Sequence, residues 1–165
     1  MPIIIRAATE DDLPGLLMLY RELHAGDPEL PAGLAAHRWR EISAQVGRTI
    51  LVAAGPTSAG DPTSAAGPTS AGDPTGVVGT VDITVLPNLT RGGQPFMLVE
   101  NVVVAAAARR RGVGRRLLEA AITAAGEAGC YKVQLLTAMG RAGAHAFYEA
   151  CGLRPVAQGY RAYLR

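Results

Sequence analysis

Aromatic residues are scarce in this chain, at 5% of 165 residues, with a single Trp and two Phe. Ala, Val and Leu must therefore supply most of any core. The few rings offer no stacking platform for nucleic acid, and no recognition helix stands out. Cysteine is nearly absent as well. Cys130 and Cys151 lie far apart and match neither a CxxC redox motif nor a zinc pattern, so both are expected as reduced, partly buried thiols. His24, His37 and His145 lack ligand spacing, and no metal site is expected. No apolar run approaches the roughly 20 residues of a membrane helix. The opening MPIIIRAATEDD lacks the charged start and long apolar stretch of a signal peptide. The expectation is a soluble, cytoplasmic protein with no membrane partner. A net charge of +2 is too small to argue for a polyanionic partner by itself.

What is present is a folded domain's composition: 48% hydrophobic against 18% charged residues. The length suits one domain over 1–165 with a real core. Residues 3–6 (IIIR) read as a strand. Thr9 or Asp11 caps a following helix, with Pro14 in its first turn and Leu13, Leu16, Leu17, Tyr20 and Leu23 on one face. Prolines at 28 and 31 break it. A second helix over 33–46 turns Leu34, Ile42 and Val46 inward. Residues 49–54 (TILVAA) read as a buried strand. Then the chain spells GPTSAGDPTSAA followed by GPTSAGDPT over 55–75. This repeat has no large apolar residue to offset its ordering entropy, and we read it as a low-complexity, mobile insertion in a strand–strand hairpin.

Strands are expected next at 77–86, with Val81, Ile83 and Val85 on one face, and at 96–104 (FMLVENVVV), an apolar run suited to a central strand covered on both faces. A helix over 112–128 turns Leu117, Leu118, Ala121, Ile122 and Ala125 inward and closes at Gly129. A strand at 131–137, a short helix at 142–151 and a last strand at 160–164 complete a mixed α/β sheet in one layered domain.

The strongest chemical signal is the strand-to-helix junction Arg109-Arg110-Arg111-Gly112-Val113-Gly114-Arg115-Arg116. A helix N-terminus presents unpaired N–H groups and partial positive charge. Glycines let a phosphate approach the backbone, and arginines add charge. The segment suits a phosphate or pyrophosphate, yet it is neither a Walker P-loop nor a Rossmann fingerprint. The alternative is a solvated arginine cluster beside a helix start.

Arg109-x-x-Gly112-x-Gly114 resembles the [Q/R]-x-x-G-x-[G/A] signature of the GNAT acetyltransferases, placed as there after a buried strand. VENVVV before it and AHAFYEACG after it make the likeness specific, and it extends over most of the chain. The resemblance implies a mixed, mostly antiparallel sheet splayed between strands 4 and 5, flanked by helices, with acetyl-CoA as cosubstrate in the cleft. It implies that the backbone of Val102, Val103 and Val104 pairs with the pantetheine arm. Arg109, Arg110, Arg111, Gly112, Val113, Gly114 and Arg115 would hold the pyrophosphate. The segments at 99–104, 129–133 and 147–149 look like the small-molecule branch typified by glucosamine-6-phosphate and aminoalkylphosphonate N-acetyltransferases. Many members carry an Asn where Arg141 stands here, a departure from that pattern.

The same resemblance makes Tyr148 the general acid for the departing thiolate, against a simple packing role. Glu100, a carboxylate inside an apolar strand, is expected to be buried. Two roles stand for it: acceptor of the amine proton, or a structural hydrogen bond. Alternation puts Glu100 and Asn101 on opposite faces unless a bulge intervenes. The reading is transfer of an acetyl group to a primary amine of a small molecule by direct attack, with N–H groups near Val103 on the oxyanion. The alternatives are a peptide or protein amine as acceptor, a non-catalytic CoA-binding regulatory module, or a nucleic-acid-binding domain. Dimers are common among such enzymes.

Overall fold

The computed structural model describes residues 3–55 and 76–164. Five strands are present among them: β1 (Ile4–Ala7), β2 (Arg48–Ala54), β3 (Val77–Leu86), β4 (Phe96–Val104) and β5 (Val133–Leu135). They lie in the order of the chain. β1 to β4 are antiparallel neighbours, and β5 pairs parallel to β4. The parallel pair is joined by a crossover that contains a helix, as parallel neighbours require. The sheet is therefore mixed, mostly antiparallel and flanked by helices, as expected.

Four α-helices cover it: α1 (Leu13–Leu23), α2 (Ala32–Ser43), α3 (Val113–Glu127) and α4 (Ala142–Ala150). None of the described helices is long and apolar enough to cross a membrane. Period-two alternation in the strands divides the apolar residues between two layers. Leu16 and Leu19 of α1 pack on Ile50, Val52, Val77 and Val103 on one face. On the other, Val113, Leu117, Leu118, Ala121 and Ala125 of α3 pack on Ala53, Val78, Val81, Ile83, Met97 and Val99. Phe147 and Tyr148 of α4 join this second layer at its margin.

Of the two residues expected to cap the start of α1, Thr9 caps the 3-10 turn Glu10–Asp12 that leads into it, in a capping box with Asp12, the residue just before α1. Asp12, buried beneath the turn, takes two bonds from the Arg6 guanidinium at 2.6 and 2.7 Å and one from the Thr9 N–H at 2.8 Å. Burial opposes its charge, but these donors outweigh burial and hold its carboxyl below the usual range. At the far end of α3, the Cys130 N–H donates to Ala125 O and the Gly129 N–H to Gly126 O, the paired bonds of a Schellman close.

Several expectations are corrected. No strand forms over 160–164. Tyr160, Tyr163 and Leu164 are exposed, and the segment has β-forming residues but pairs with no strand among the described residues. β5 is three residues long rather than seven, because its pairing with β4 stops at Val99↔Leu135. Leu34 and Val46 do not point inward: α2 ends at Ser43, and Ala35, Trp39 and Ile42 make its packing face. Ile122 is also partly exposed, since Leu118, Ala121 and Ala125 already fill the stripe of α3 that meets the sheet. The repeat lies outside the described residues except for Gly55, whose N–H donates to Gly76 O at 3.0 Å.

Candidate active site

The site grows from the end of β4. Beyond Val99, β5 no longer accompanies β4, so the flank of residues 100–104 has no strand partner on that side among the described residues. On its other side, β4 pairs with β3, and the register slips: Thr80 faces Val103 while Asp82 faces Glu100. Two residues of β4, Asn101 and Val102, thus stand against Val81. Asn101 takes a positive φ of 52°. This bulge places Glu100 and Val103 both on the α1 face, with Val102 and Val104 against the α3 layer.

After β4 the chain makes a short 3-10 turn, Ala106–Ala108, and then the arginine-rich turn. Arg110 and Gly112 both adopt left-handed conformations, with φ of 63° and 78°. The first bond of α3 runs from the Arg116 N–H to Gly112 O at 3.1 Å. The N–H groups of Val113, Gly114 and Arg115 therefore precede the helical ladder, and no side chain caps them. They form the positive end of a 15-residue helix.

The two glycines of the motif serve different ends. A Cβ at Gly112 would meet nothing within 4 Å, so it is the positive φ that demands glycine there. A Cβ at Gly114 would lie 3.2 Å from the Phe147 ring and 3.5 Å from Val104, so Gly114 lets α4 close on α3. The sequence alone assigned both to the approach of a phosphate.

The arginines also divide. The Nε of Arg109 donates to Val104 O at 3.0 Å, and its Nη2 lies 3.3 Å from Glu22. Arg115 bonds Glu119 at 3.0 Å and Ala150 O, at the end of α4, at 3.3 Å. Arg110, Arg111 and Arg116 are exposed and make no ion pair among the described residues, so their charge is open to an incoming anion.

Glu100 is exposed, which corrects the expectation of burial. Beside it the pairing of β4 with β5 has already ended at Val99, and the side chain stays open to solvent. Tyr148 is half-buried against the α3 layer, its ring 5.2 Å from that of Phe147. Burial pushes its hydroxyl pKa up, the Arg141 charge pulls it down, and the Glu100 charge pushes it up again. The phenol thus stays protonated at neutral pH, and the carboxylate of Glu100 lies near enough for its field to reach it.

Sequence reasoning missed a second set of polar residues. Thr80 and Asp82 occupy the face of β3 opposite Val81 and Ile83, and both are fully or nearly fully buried. Arg48 holds Asp82 by two bonds, 3.1 and 2.5 Å long. Tyr20 lies over this pair, its hydroxyl pushed up to about 12 by burial and by the Asp82 charge. The ladder carries Ile50, Asp82 and Glu100 side by side, so this buried ion pair flanks Glu100. The sequence shows Thr80, Asp82 and Thr84 alternating with Val81, Ile83 and Val85, but not that the fold buries Thr80 and Asp82. Glu22 left no sequence signal.

Comparison with known proteins follows this geometry. A family model described as the acetyltransferase (GNAT) family matches residues 58–153. A 45-residue stretch is 56% identical to the probable glucosamine 6-phosphate N-acetyltransferase 2 of Oryza sativa subsp. japonica. That match spans 27% of this chain and only 27% of the relative's length. Among solved structures, a putative acetyltransferase from Agrobacterium tumefaciens str. C58 superposes with a TM-score of 0.82 at 39% identity, covering 98% of this chain and all of that one. A protein described as a transcriptional regulator from Bacillus halodurans C-125 superposes with a TM-score of 0.81 at 27% identity, over 99% of this chain and all of that one.

Proposed function

The chain belongs to the GNAT acetyltransferase family, and from that premise we propose that it transfers an acetyl group from acetyl-CoA to the primary amine of a small molecule. One observation carries the reading. The open flank of β4 at Val102, Val103 and Val104 leads directly into the uncapped amides of Val113, Gly114 and Arg115. An extended strand flank without a strand partner among the described residues, its Val104 carbonyl taken by Arg109 Nε, next to an uncapped helix end suits a ligand with an amide-bearing arm and a pyrophosphate. Arg110 and Arg111 add charge, and Gly112 sets the turn. When bound, acetyl-CoA supplies the activated acyl group as a thioester.

The chain's own residues then manage two protons. Glu100, exposed where β5 no longer accompanies β4, takes the proton that the amine nitrogen loses as it bonds to the carbonyl carbon. Tyr148, kept protonated by burial, gives its hydroxyl proton to the sulfur as the carbon–sulfur bond breaks. Backbone N–H groups near Val103 steady the negative charge on the carbonyl oxygen. Direct transfer needs no nucleophilic cysteine. Burial pushes both the Cys130 and Cys151 thiols up, away from the thiolate form a covalent route requires.

The small-molecule branch is supported by the sequence likeness to the rice glucosamine-phosphate acetyltransferase. The test is an acceptor screen with acetyl-CoA, read by release of free thiol, that includes amino sugars, amino sugar phosphates, aminoalkylphosphonates and lysine peptides. Acetylation of one or more of the small amines is expected. Turnover confined to peptides would replace the acceptor class, and CoA binding without any turnover would make the chain a regulatory module.

A further inference from the structure

Glu22 is the penultimate residue of α1, at the negative end of that helix, where a carboxylate is disfavoured by the helix dipole. Its position is explained by what it touches. Its Oε2 accepts from the Ala106 N–H at 3.0 Å and lies 3.3 Å from Nη2 of Arg109. Arg109 in turn donates through Nε to Val104 O at 3.0 Å. One carboxylate of α1 therefore grips both ends of the 3-10 turn that carries the chain from β4 to α3. The turn needs a grip, because Arg110 beyond it holds a left-handed conformation that a residue with a side chain adopts only at a cost.

We propose that Glu22 is a positioning residue for the cofactor loop: through Ala106 and Arg109 it holds residues 105–112 in the conformation that aims the amides of α3. The inference rests on the acetyl-CoA reading above and extends it to α1, which otherwise contributes only to the opposite face of the sheet. Two effects compete. A negative charge near a pyrophosphate site repels the ligand, while a pre-formed loop spares the ligand the cost of ordering it. Glu22 and Arg109 are 39% and 55% exposed, so water screens the repulsion. The hydrogen bonds that set the loop geometry persist, and ordering wins.

The first measurement needs no ligand. Amide hydrogen exchange over residues 105–112 should quicken in Glu22→Ala and exchange elsewhere should not. Calorimetric titration of the unaltered chain with CoA then provides the reference affinity. Against it, Glu22→Ala should bind CoA about tenfold more weakly and Glu22→Gln, which keeps an acceptor for Ala106, about threefold. KM for acetyl-CoA should rise in step while kcat at saturation stays within about twofold. Adding Arg109→Met to Glu22→Ala should cost less than about twofold more, because the two act through one contact. Unchanged exchange in Glu22→Ala, or unchanged or tighter CoA binding by it, would overturn the proposal. So would a loss of melting temperature and kcat together with affinity, which marks general support of the fold. If the unaltered chain does not bind CoA, it is the acetyl-CoA reading that fails, and the exchange result still decides whether the grip exists.

Discussion

The two sides of the open sheet are built from different materials. The proposed cofactor side is backbone: the flank of β4 that no strand covers among the described residues, a turn with two left-handed residues and the first amides of α3. The side proposed to face the acceptor is made of side chains gathered from three elements: Tyr20 from α1, Arg48 from β2 and Asp82 from β3, set beside Glu100 by strand register. A backbone site is written in a short contiguous run, because glycine spacing and helix start lie next to one another. A side-chain site is dispersed, and only the folded ladder assembles it. On the proposed reading, the acetyl-CoA site is therefore local in sequence and the acceptor site is not.

Tyr148 belongs to neither side alone, and replacing it gives the largest expected effect. Tyr148→Phe keeps the ring contact with Phe147 and removes the hydroxyl. Turnover should fall by about 10²–10⁴-fold with CoA affinity unchanged. The pH profile adds a sign. The folded hydroxyl has a raised pKa, so the acid form persists through neutrality and past the ordinary phenol range near 10. Rate should climb with pH as the amine deprotonates, without a falling limb until strongly alkaline pH. Glu100→Gln should lose most at neutral pH and recover in part at high pH, where the free amine needs no base. Full turnover in Tyr148→Phe under conditions where chemistry limits the rate would reduce Tyr148 to a packing residue.

Next in size is the buried pair on the acceptor side. Asp82→Ala leaves the Arg48 guanidinium without its partner under α1. Losing one member of a fully buried pair costs roughly 3–5 kcal/mol. Arg48 keeps 24% of its side chain exposed, so about 2 kcal/mol is the expected loss. Urea denaturation measures it. KM for the acceptor should rise while CoA affinity holds. An equal loss of both would mean that the two sides are not separable.

The motif glycines sharpen the comparison on the cofactor side. Gly114→Ala pushes a Cβ to 3.2 Å from the Phe147 ring, so α4 must shift by a few tenths of an ångström. A stability loss of about 1 kcal/mol is expected, with some loss of turnover because Tyr148 rides on the same helix. Gly112→Ala meets open space and is charged only for its left-handed φ, again about 1 kcal/mol. A clean drop in CoA affinity is expected from Gly112→Ala and a mixed effect from Gly114→Ala. Identical behaviour in titration and melting would erase the distinction.

Much of the fold was legible because its signals were local. The bounds of β3 and β4 follow from their apolar runs, and α3 from its stripe and the Gly129 close. The misreadings share a cause. Residues 160–164 have strand chemistry but pair with no strand among the described residues, Val46 lies past the end of its helix, and Glu100 has apolar neighbours in sequence yet is exposed. In each case the deciding fact is which other segment stands alongside. The roles of Asp82 and Glu22 depend on partners 34 and 84 or more residues away and leave no mark in their own surroundings.

The smallest effect is expected from the repeat. The hairpin is already closed at its base, where the Gly55 N–H reaches Gly76 O at 3.0 Å and Ala54 pairs with Val77. Residues 56–75 contain no large apolar side chain that the core would miss. Replacing them with Asn-Gly converts the connection into a two-residue turn of the kind that matches strand twist. Loop closure then favours the shorter form by at most about 2 kcal/mol for a tenfold reduction in length. The slip in pairing between Ala53 and Ala54 gives some of that back, because the turn must accommodate an irregular base. Melting temperature should hold or rise by a few degrees, and KM for both substrates should stay within about twofold. The described ends of the connection, Gly55 and Gly76, lie at the end of the sheet near Val104, next to the proposed cofactor side. A rise in KM for acetyl-CoA on replacement would make the repeat a third, side-chain-built part of that site, and the division between a backbone side and a side-chain side would no longer hold.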